Sequence, residues 1–507
     1  MPPPPIAHSL GWPDYVIFFV ILLFTYAVVI YGRSRQTPTE RTIIDILLDG
    51  RRLTLPFFVA TLVATWYGGI LGVTEISYNH GIFNFVTQGV FWYASYLIFA
   101  FWIIPKLKGH SYVTLPEVVK KYFGTKAEKI AAIFNIFNVI PTTYALSIGL
   151  FLDALFQTGV INGTIIGVVI IIGYSFIGGF RSIVLSDIVQ FSVMVTAVMC
   201  VWIFSIITYG GLNFLQENLP ESHFTITGGH SISALLVWGF IALSTLVDPN
   251  FYHRAFAAKE PKVAQKGILV STLIWMVFDL ATTAGAMYAA ATLANANIHS
   301  SQAYLYYGVE LLPVGVKGFF LAGIFATILS TIDSYLFMAS STMSYDVIGN
   351  KKHRFLNSYR IHFILFALLA IVLAWLFSEE SPFQSPGTIK NVWKTFGSYS
   401  AGCLLLPMLA AYAGFTKRGF TAGYFITSTT LSAVVISLWR LTSKELKEPY
   451  LERISSDLKP LASLDDLYMG LLTSLIVIAI SWLHWREAKT KTLGKLYRFL
   501  KLIFSRQ

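Results

Sequence analysis

Residues 60–78 read Ala-Thr-Leu-Val-Ala-Thr-Trp-Tyr-Gly-Gly-Ile-Leu-Gly-Val-Thr-Glu-Ile-Ser-Tyr, and the rest of the chain is arranged around this segment. It lies in an apolar segment long enough to cross a bilayer, yet Gly68 and Gly69 stand in tandem at its middle, with Gly72 and Glu75 just beyond. Glycine weakens a helix, and a carboxylate is costly in hydrocarbon. Two interpretations stay open: a helix that packs closely through small residues, or a helix that unwinds to free carbonyls for a cation and amides for a substrate.

The composition of the chain is that of a membrane protein. Of its 507 residues 55% are hydrophobic and only 12% are charged, whereas soluble proteins carry about 25% charged residues. Segments of about 20 apolar residues recur along the whole length. We therefore predict an all-α polytopic membrane protein with about 13 transmembrane helices. The predicted spans are 14–32, 55–78, 82–104, 129–157, 161–178, 183–208, 232–250, 267–294, 316–345, 361–377, 393–414, 420–440 and 466–484.

The formal net charge of +11 reflects topology in this chain rather than a nucleic-acid partner. Most Lys and Arg residues fall in alternate loops, including a group after the seventh span that begins with Arg254. Such a bias predicts an N-terminus outside and a cytoplasmic C-terminus in the cell (inner) membrane. The tail 485–507 is basic and amphipathic, as expected of a helix on the inner leaflet. We find no nucleophile–base or metal constellation, and both cysteines lie in apolar runs, so no enzyme is expected.

A second interruption is predicted at Val247–Asn250, where the seventh span contains Val-Asp-Pro-Asn, because proline cannot donate to the helix ladder. The two breaks fall in the second and seventh spans, so spans 2–6 form one set of five and spans 7–11 form another. Because each set has an odd number of spans, the second set is inverted relative to the first. Paired interrupted segments in inverted repeats indicate a transporter's central site. The predicted organisation is a single domain: an extra N-terminal helix 14–32, repeats 55–208 and 232–414, two additional helices within 420–484, and the tail.

The ninth span presents hydroxyl groups on one helical face. Asp333 lies in the same segment, three residues after the second hydroxyl. Hydroxyls beside free carbonyls suit a hard cation such as Na⁺, although hydroxyls also bond between membrane helices without any ion. The buried carboxylate favours a cation path. The hydroxyl residues are Thr327, Ser330, Thr331 and Ser334.

Asp187 enters the sixth span six residues after Arg181, and Gln190 follows one turn further on. Asp187 either pairs with Arg181 and caps the helix, or takes part in the ion path.

Four motifs, in order and at matching spacing over nearly the whole chain, resemble those of the sodium/solute symporter family. The resemblance implies the five-plus-five inverted repeat of the leucine transporter fold, with one extra helix before it. It also implies Na⁺-driven uptake of a small organic solute, with Na⁺ as coupling ion and no other cofactor. The motifs are Gly178-Gly179…Ser186-Asp187-x-x-Gln190, Thr114-Leu-Pro-Glu-Val-Val-Lys-Lys-Tyr-Phe-Gly124, Leu329-Ser-Thr-Ile-Asp-Ser334 and Phe256-Ala-Ala-Lys259.

The resemblance also implies site residues. The main sodium site takes the carbonyls of Ala64, Tyr67 and Thr327 with the hydroxyls of Ser330 and Thr331. A second site, for a cation or a proton, takes Asp187, Asp333 and Ser334. The substrate candidates are Thr65, Trp66, Gly68, Gly69, Gln88, Asp248, Asn250, Trp275 and Asp279.

The same resemblance disfavours a sugar as the solute, because Ile70, Leu71 and Trp275 stand where sugar carriers have polar residues. Asp279 and Asp248 are each expected either to face an amino or other cationic group on the substrate or to bond a neighbouring helix. Two alternatives to Na⁺ symport stay open: a proton-coupled carrier that uses Asp333 and Asp187, and a membrane-embedded solute sensor. The expected partners are a small organic solute, Na⁺ and the lipid bilayer, with no nucleic acid.

Overall fold

The computed structural model describes residues 5–34, 42–109, 111–175, 179–294, 296–349, 354–378, 381, 389–442 and 464–504. Within these ranges all regular structure is helical, apart from one isolated bridge between Leu53 and Ala258. The all-α prediction is therefore confirmed. Gly178, which belongs to the first of the four motifs, lies outside the described residues.

The helices are numbered here in chain order. Short π-helical turns extend or join some of them, at Phe85–Val90, Phe99–Ile103, Met343–Val347 and Ala401–Leu405. The helices are α1 Trp12–Ser34, α2 Ile43–Leu48, α3 Leu55–Trp66, α4 Ile70–His80, α5 Phe91–Ile98, α6 Ile104–Leu107, α7 Leu115–Phe123, α8 Thr125–Asn138, α9 Thr142–Phe156, α10 Val160–Ser175, α11 Phe180–Tyr209, α12 Leu212–Asn218, α13 Ile232–Leu243, α14 Pro249–Ala257, α15 Pro261–Leu293, α16 Ser300–Leu311, α17 Val316–Thr342, α18 Phe355–Phe377, α19 Ile389–Ser400, α20 Leu406–Tyr412, α21 Ala422–Leu441 and α22 Asp466–Phe504.

Ten helices in the described ranges are long and apolar enough to cross a membrane, and the bent pair α3–α4 makes an eleventh span. The predicted fifth span contains a shorter apolar helix, Val160–Gly173. The predicted span 393–414 is not among them, because it is divided into α19, a π-helical turn and α20. The multi-pass architecture is confirmed, whereas the count of about 13 is not.

The chain divides into two compact units. The first comprises Met1–Leu115 and Asn135–Phe396, and α17 lies at its centre. Nearly every residue of α17 is buried, so this helix is surrounded by protein rather than by lipid. Small residues allow the close approach: a Cβ at Gly323 would overlap Ala197 of α11. The hydroxyls of the ninth span therefore face other helices.

Helix α1, the predicted extra N-terminal helix, is attached to the start of α17. The Asp14 carboxylate accepts hydrogen bonds from the amides of Gly315 at 2.7 Å and Gly318 at 3.0 Å. These amides begin a helix and have no partner within it, so the buried carboxylate caps α17. One additional helix therefore anchors the central helix of the unit.

The second unit comprises Pro116–Phe134 and Gly397–Gln507. Within it Phe123 stacks on Phe425 with ring centroids 4.5 Å apart. The Ser432 hydroxyl donates to the carbonyl of Gly470 at 3.0 Å, which joins α21 to α22. Helix α22 continues from the last predicted span through most of the basic tail, and residues 505–507 lie outside the described part.

Candidate functional site

The second predicted span is interrupted. Helix α3 ends at Trp66, Tyr67–Gly69 form a turn, and α4 starts at Ile70 with its axis bent by 60°. The turn is closed by the Ile70 amide, which donates to the Tyr67 carbonyl at 3.0 Å. A Cβ at Gly68 would overlap the Thr331 side chain. The tandem glycines therefore mark a break packed against α17, and the interpretation as a continuous close-packed helix is wrong.

Two hydroxyls of α17 reach carbonyls at the end of α3. The Ser330 hydroxyl lies 2.8 Å from the carbonyl oxygen of Ala64, and the Thr331 hydroxyl lies 2.7 Å from that of Thr65. Both hydroxyls are also close to the Thr327 carbonyl, at 3.0 and 3.2 Å. We call these five oxygens, three carbonyl and two hydroxyl, the hydroxyl cage.

The hydroxyl cage brings together four of the five residues predicted for the main sodium site. The fifth, Tyr67, lies elsewhere: its carbonyl closes the turn, and its hydroxyl donates to Asp279. The carbonyl of Thr65 stands in its place. All the cage residues are buried, and no charged side chain is among them.

A second polar group begins one turn further along α17, and its centre is the guanidinium of Arg254. Nη2 donates to the hydroxyls of Thr65 at 2.5 Å and Ser334 at 3.2 Å. The same nitrogen lies 3.2 Å from the Thr61 hydroxyl and 3.8 Å from a carboxylate oxygen of Asp187. Thr61 in turn donates to Asp187. We call these five residues the Arg254 cluster; all five are buried.

The Arg254 cluster corrects two predictions. Arg254 is not an inner-loop residue, because it lies in α14 and only 1% of it is exposed. Asp187 does not pair with Arg181, which instead forms an ion pair with Asp49 at 3.4 Å. The cation that faces Asp187 is Arg254, whose Nη2 lies 3.8 Å from the carboxylate.

The predicted second site is only partly assembled. The Arg254 cluster brings Asp187 and Ser334 together around a guanidinium. Asp333, predicted as their neighbour, is also buried, but its carboxylate accepts a hydrogen bond from the Ser175 hydroxyl of α10 at 3.4 Å.

A small cavity opens beside the break in the second span. Asp279, in the middle of α15, is the acidic residue of its wall, and the hydroxyls of Tyr67 and Tyr93 donate to the two oxygens of this carboxylate. The Tyr67 hydroxyl also lies 3.1 Å from that of Thr282. The cavity is lined by Trp66, Tyr67, Gly69, Val73, Gln88, Trp92, Tyr96, Trp275, Asp279 and Trp393.

Five of the nine predicted substrate residues line this cavity: Trp66, Gly69, Gln88, Trp275 and Asp279.

The other four lie elsewhere. Gly68 packs on Thr331, and Thr65 belongs to the Arg254 cluster. The Asp248 carboxylate accepts the Asn250 amide at 2.7 Å and caps α14, which confirms the predicted interruption of the seventh span. The Asn250 side chain faces Arg254 at 3.5 Å.

Sequence reasoning missed Arg254, three aromatic residues that line the cavity, and Tyr93, which donates to Asp279. One signal for Arg254 existed: it stands alone in the apolar run Phe251-Tyr-His-Arg-Ala-Phe-Ala-Ala258, directly after an interruption. The aromatic residues had no such signal, since rings are common throughout the apolar spans. They are Trp92, Tyr93, Tyr96 and Trp393.

Known proteins support the same architecture. A sodium-coupled sialic acid symporter, solved in a substrate-bound outward-open state, superposes with a TM-score of 0.75 at 15% identity, over 94% of this chain and 98% of that one. A nucleobase-cation-symport-1 family transporter in a closed conformation gives a TM-score of 0.51 at 12% identity, over 88% and 96%. The chain thus has the leucine-transporter-like fold.

Similar sequences are symporters as well. The sodium/proline symporter 2 of Staphylococcus saprophyticus is 25% identical over 492 residues, which are 90% of this chain and 89% of the relative. The sodium/pantothenate symporter of Haemophilus influenzae is 26% identical over 251 residues, 47% of this chain and 51% of the relative. The model of the sodium:solute symporter family matches residues 47–426. This chain therefore belongs to the sodium:solute symporter family and is a transporter rather than an enzyme.

Proposed function

We propose that this protein imports a small organic solute by alternating access, with one Na⁺ bound in the hydroxyl cage and the solute bound in the cavity that Asp279 lines. The family couples transport to Na⁺; the assignment of these two sites and of the direction of transport is our proposal. We further propose that the chain lies in the cell membrane with its N-terminus outside and its C-terminus in the cytoplasm.

One observation carries this proposal: the break in the second span contributes to both sites. The carbonyls of Ala64 and Thr65 belong to the hydroxyl cage. Within the next four residues, Trp66, Tyr67 and Gly69 line the cavity. Interrupted helices at the centre of transporter folds provide free backbone groups for ions and substrates in this way.

The hydroxyl cage suits Na⁺ because it offers only uncharged oxygen ligands. Hard cations prefer carbonyl, hydroxyl and carboxylate oxygens. The helix end at Trp66 leaves carbonyls without an amide partner in the helix, and the hydroxyls of Ser330 and Thr331 now donate to two of them. An ion between these oxygens would turn the hydroxyl protons outward and use all five oxygens as acceptors.

The shared turn provides a physical route for coupling. An ion in the cage would link the end of α3 to α17 and so fix the turn at Tyr67–Gly69. Tyr67 holds Asp279 in the cavity wall through its hydroxyl. Ordering of the turn by the ion would therefore lower the cost of binding the solute, and the solute would raise the affinity for Na⁺ by the same factor.

The Arg254 cluster supports a single coupling ion. Its guanidinium lies among the hydroxyls of Thr65 and Ser334 and faces Asp187, where an additional cation was predicted. A second positive charge there would be repelled at a distance of a few ångströms in a medium of low dielectric constant.

The proposal is tested by Na⁺ binding, which does not require a known solute. The full chain is purified, and its melting temperature is measured in NaCl and in KCl at equal ionic strength, since a ligand that binds only the folded state raises that temperature. We expect Na⁺ to stabilise the parent protein. Ser330→Ala combined with Thr331→Ala should weaken Na⁺ binding by at least about 10-fold, the smallest loss usual even for an outer-shell partner of a metal ligand.

The matched control is Ser340→Ala with Ser341→Ala, which removes two buried hydroxyls from the same helix outside the cage. A normal Na⁺ response in the cage variant, or an equal loss in the control, would contradict the assignment of the ion site.

A further inference from the structure

The cavity carries an acidic group that no basic side chain neutralises. Asp279 is 4% exposed, and both of its oxygens accept tyrosine hydroxyls. Among the described residues no Lys, Arg or His forms an ion pair with it. This contrasts with Asp187, which faces Arg254. A buried carboxylate without a cation is costly, and a positively charged ligand would remove that cost.

The walls around Asp279 are aromatic. Trp66, Tyr96 and Trp275 contact one another, with centroids 4.6 to 6.4 Å apart. Trp92 and Trp393 form a second pair at 6.1 Å. Aromatic faces attract cations within about 6 Å of the ring centre, and cages of such rings recognise ammonium groups. The carboxylate and the rings thus favour the same ligand charge.

The cavity wall also contains polar atoms that have no hydrogen-bond partner among the described residues, two donors and one acceptor. The indole nitrogens of Trp92 and Trp275 are buried and unsatisfied in the described structure, and so is the amide oxygen of Gln88. Buried polar groups in proteins are nearly always bonded. An indole N–H can only donate, so the ligand that satisfies these two groups must present acceptor atoms as well as a positive charge.

We propose, on the basis of the Na⁺-coupled uptake proposed above, that the transported solute is a small zwitterion. Its ammonium centre lies against Asp279 and the aromatic rings, and its carboxylate accepts from the indole groups of Trp92 and Trp275. Amino acids and betaines have this chemistry, whereas sugars and simple organic acids lack the cationic centre.

Matched pairs of ligands test the role of the ammonium centre. L-proline is compared with cyclopentanecarboxylate, and glycine betaine with 3,3-dimethylbutanoate; in each pair a carbon atom replaces the nitrogen and the carboxylate is kept. Pyrrolidine and tetramethylammonium test the role of the carboxylate, because they keep the cationic centre and lack the carboxylate. Galactose and pantothenate represent an uncharged and an anionic solute. Binding to the full chain is measured by melting temperature and tryptophan fluorescence in NaCl.

We expect at least one zwitterion to bind in NaCl and its carbon analogue to bind at least about 30-fold more weakly, the loss expected when one member of a buried charge pair is missing. The proline and betaine arms distinguish a secondary amine from a quaternary one. Asp279→Asn should abolish zwitterion binding and leave the stabilisation by Na⁺ alone intact. Glu310→Gln, an exposed carboxylate-to-amide change on α16, is the control.

The outcomes separate this inference from the proposed function. Equal binding of a zwitterion and its carbon analogue, binding of galactose or pantothenate instead, or no binding of any zwitterion while Na⁺ still stabilises the protein would overturn the zwitterion. Loss of the Na⁺ effect from the parent protein would overturn the ion site instead. Should Asp279→Asn not fold, the comparison of ligand pairs on the parent protein still decides.

Discussion

The hydroxyl cage and the Arg254 cluster lie one helical turn apart on α17 and differ in how they carry charge. Ser330 and Thr331 meet uncharged carbonyls in the cage. Ser334 meets a guanidinium, with a carboxylate beyond it, in the cluster. The two groups of buried hydroxyls thus differ in their ability to bind a cation. The cage consists of uncharged oxygen ligands, whereas the cluster already contains the positive charge of Arg254.

Thr65 links the two regions. Its carbonyl belongs to the hydroxyl cage, while its side chain accepts from Arg254. A change at one region can therefore reach the other through the end of α3 as well as along α17. A hydroxyl face on a membrane helix therefore does not by itself define an ion site, because the charge of the groups that the hydroxyls contact decides whether a cation can bind.

The largest effect on stability is expected when the positive charge of the Arg254 cluster is removed. Arg254→Met leaves Asp187 buried without its cation, which typically costs about 3–5 kcal/mol. We expect the melting temperature and the yield of folded protein to fall strongly. Adding Asp187→Asn should recover most of the loss, because the unpaired charge is then removed as well.

Folded Arg254→Met protein also tests whether the guanidinium stands in for an ion. Its Na⁺ response should change from the single-site dependence of the parent to a two-site dependence, because the cluster then presents a carboxylate and hydroxyls to the solvent cation. An unchanged melting temperature, or an unaltered single-site Na⁺ response, would show that the cluster and the cage do not differ as described.

The sequence was informative where the determining features are local. Tandem glycines, the Val-Asp-Pro-Asn segment and the spacing of hydroxyls in the ninth span act within a few residues, and each is found where the pattern predicted it. The choice between Tyr67 and Thr65 was not local. The contact of Gly68 with Thr331 sets the phase in which α3 ends, and that phase decides which carbonyl faces α17.

The Arg254 cluster was missed for a related reason. A basic residue near the end of an apolar span is statistically a loop residue, and only tertiary packing shows that Asp187 and two other helices surround it. The aromatic wall of the cavity was equally hidden. Its rings come from separate segments, and in the sequence they resemble the ordinary packing residues of a membrane helix.

An intermediate effect on stability and on Na⁺ binding is expected when the contact between the break in the second span and α17 is overpacked. In Gly68→Ala the new Cβ overlaps the Thr331 side chain, and overpacking of this kind typically costs about 1–3 kcal/mol. Because Thr331 is a cage residue, Na⁺ binding should weaken together with stability. Na⁺-dependent melting of the purified variant measures both.

The neighbouring glycine provides the control for that experiment. A Cβ at Gly69 would meet its nearest atoms at 3.6 to 3.7 Å, an ordinary contact, so Gly69→Ala should retain the Na⁺ response of the parent. If both variants bind Na⁺ normally, the position of the break against Thr331 does not matter for the cage.

The smallest effect is expected from a hydroxyl that belongs to the cluster alone. Thr61 donates to Asp187 and accepts from Arg254, and it makes no contact with Ser330 or Thr331 among the hydrogen bonds of the described residues. Thr61→Val keeps the shape of the side chain and removes these bonds, while Asp187 and Arg254 keep their other partners in the cluster. The cost should therefore be that of an ordinary hydrogen bond, about 0.5–1.5 kcal/mol. We expect a modest fall in melting temperature in KCl and an unchanged increment on adding Na⁺. A change in that increment would mean that the cage responds to the cluster directly, and the two regions would then have to be treated as one extended site.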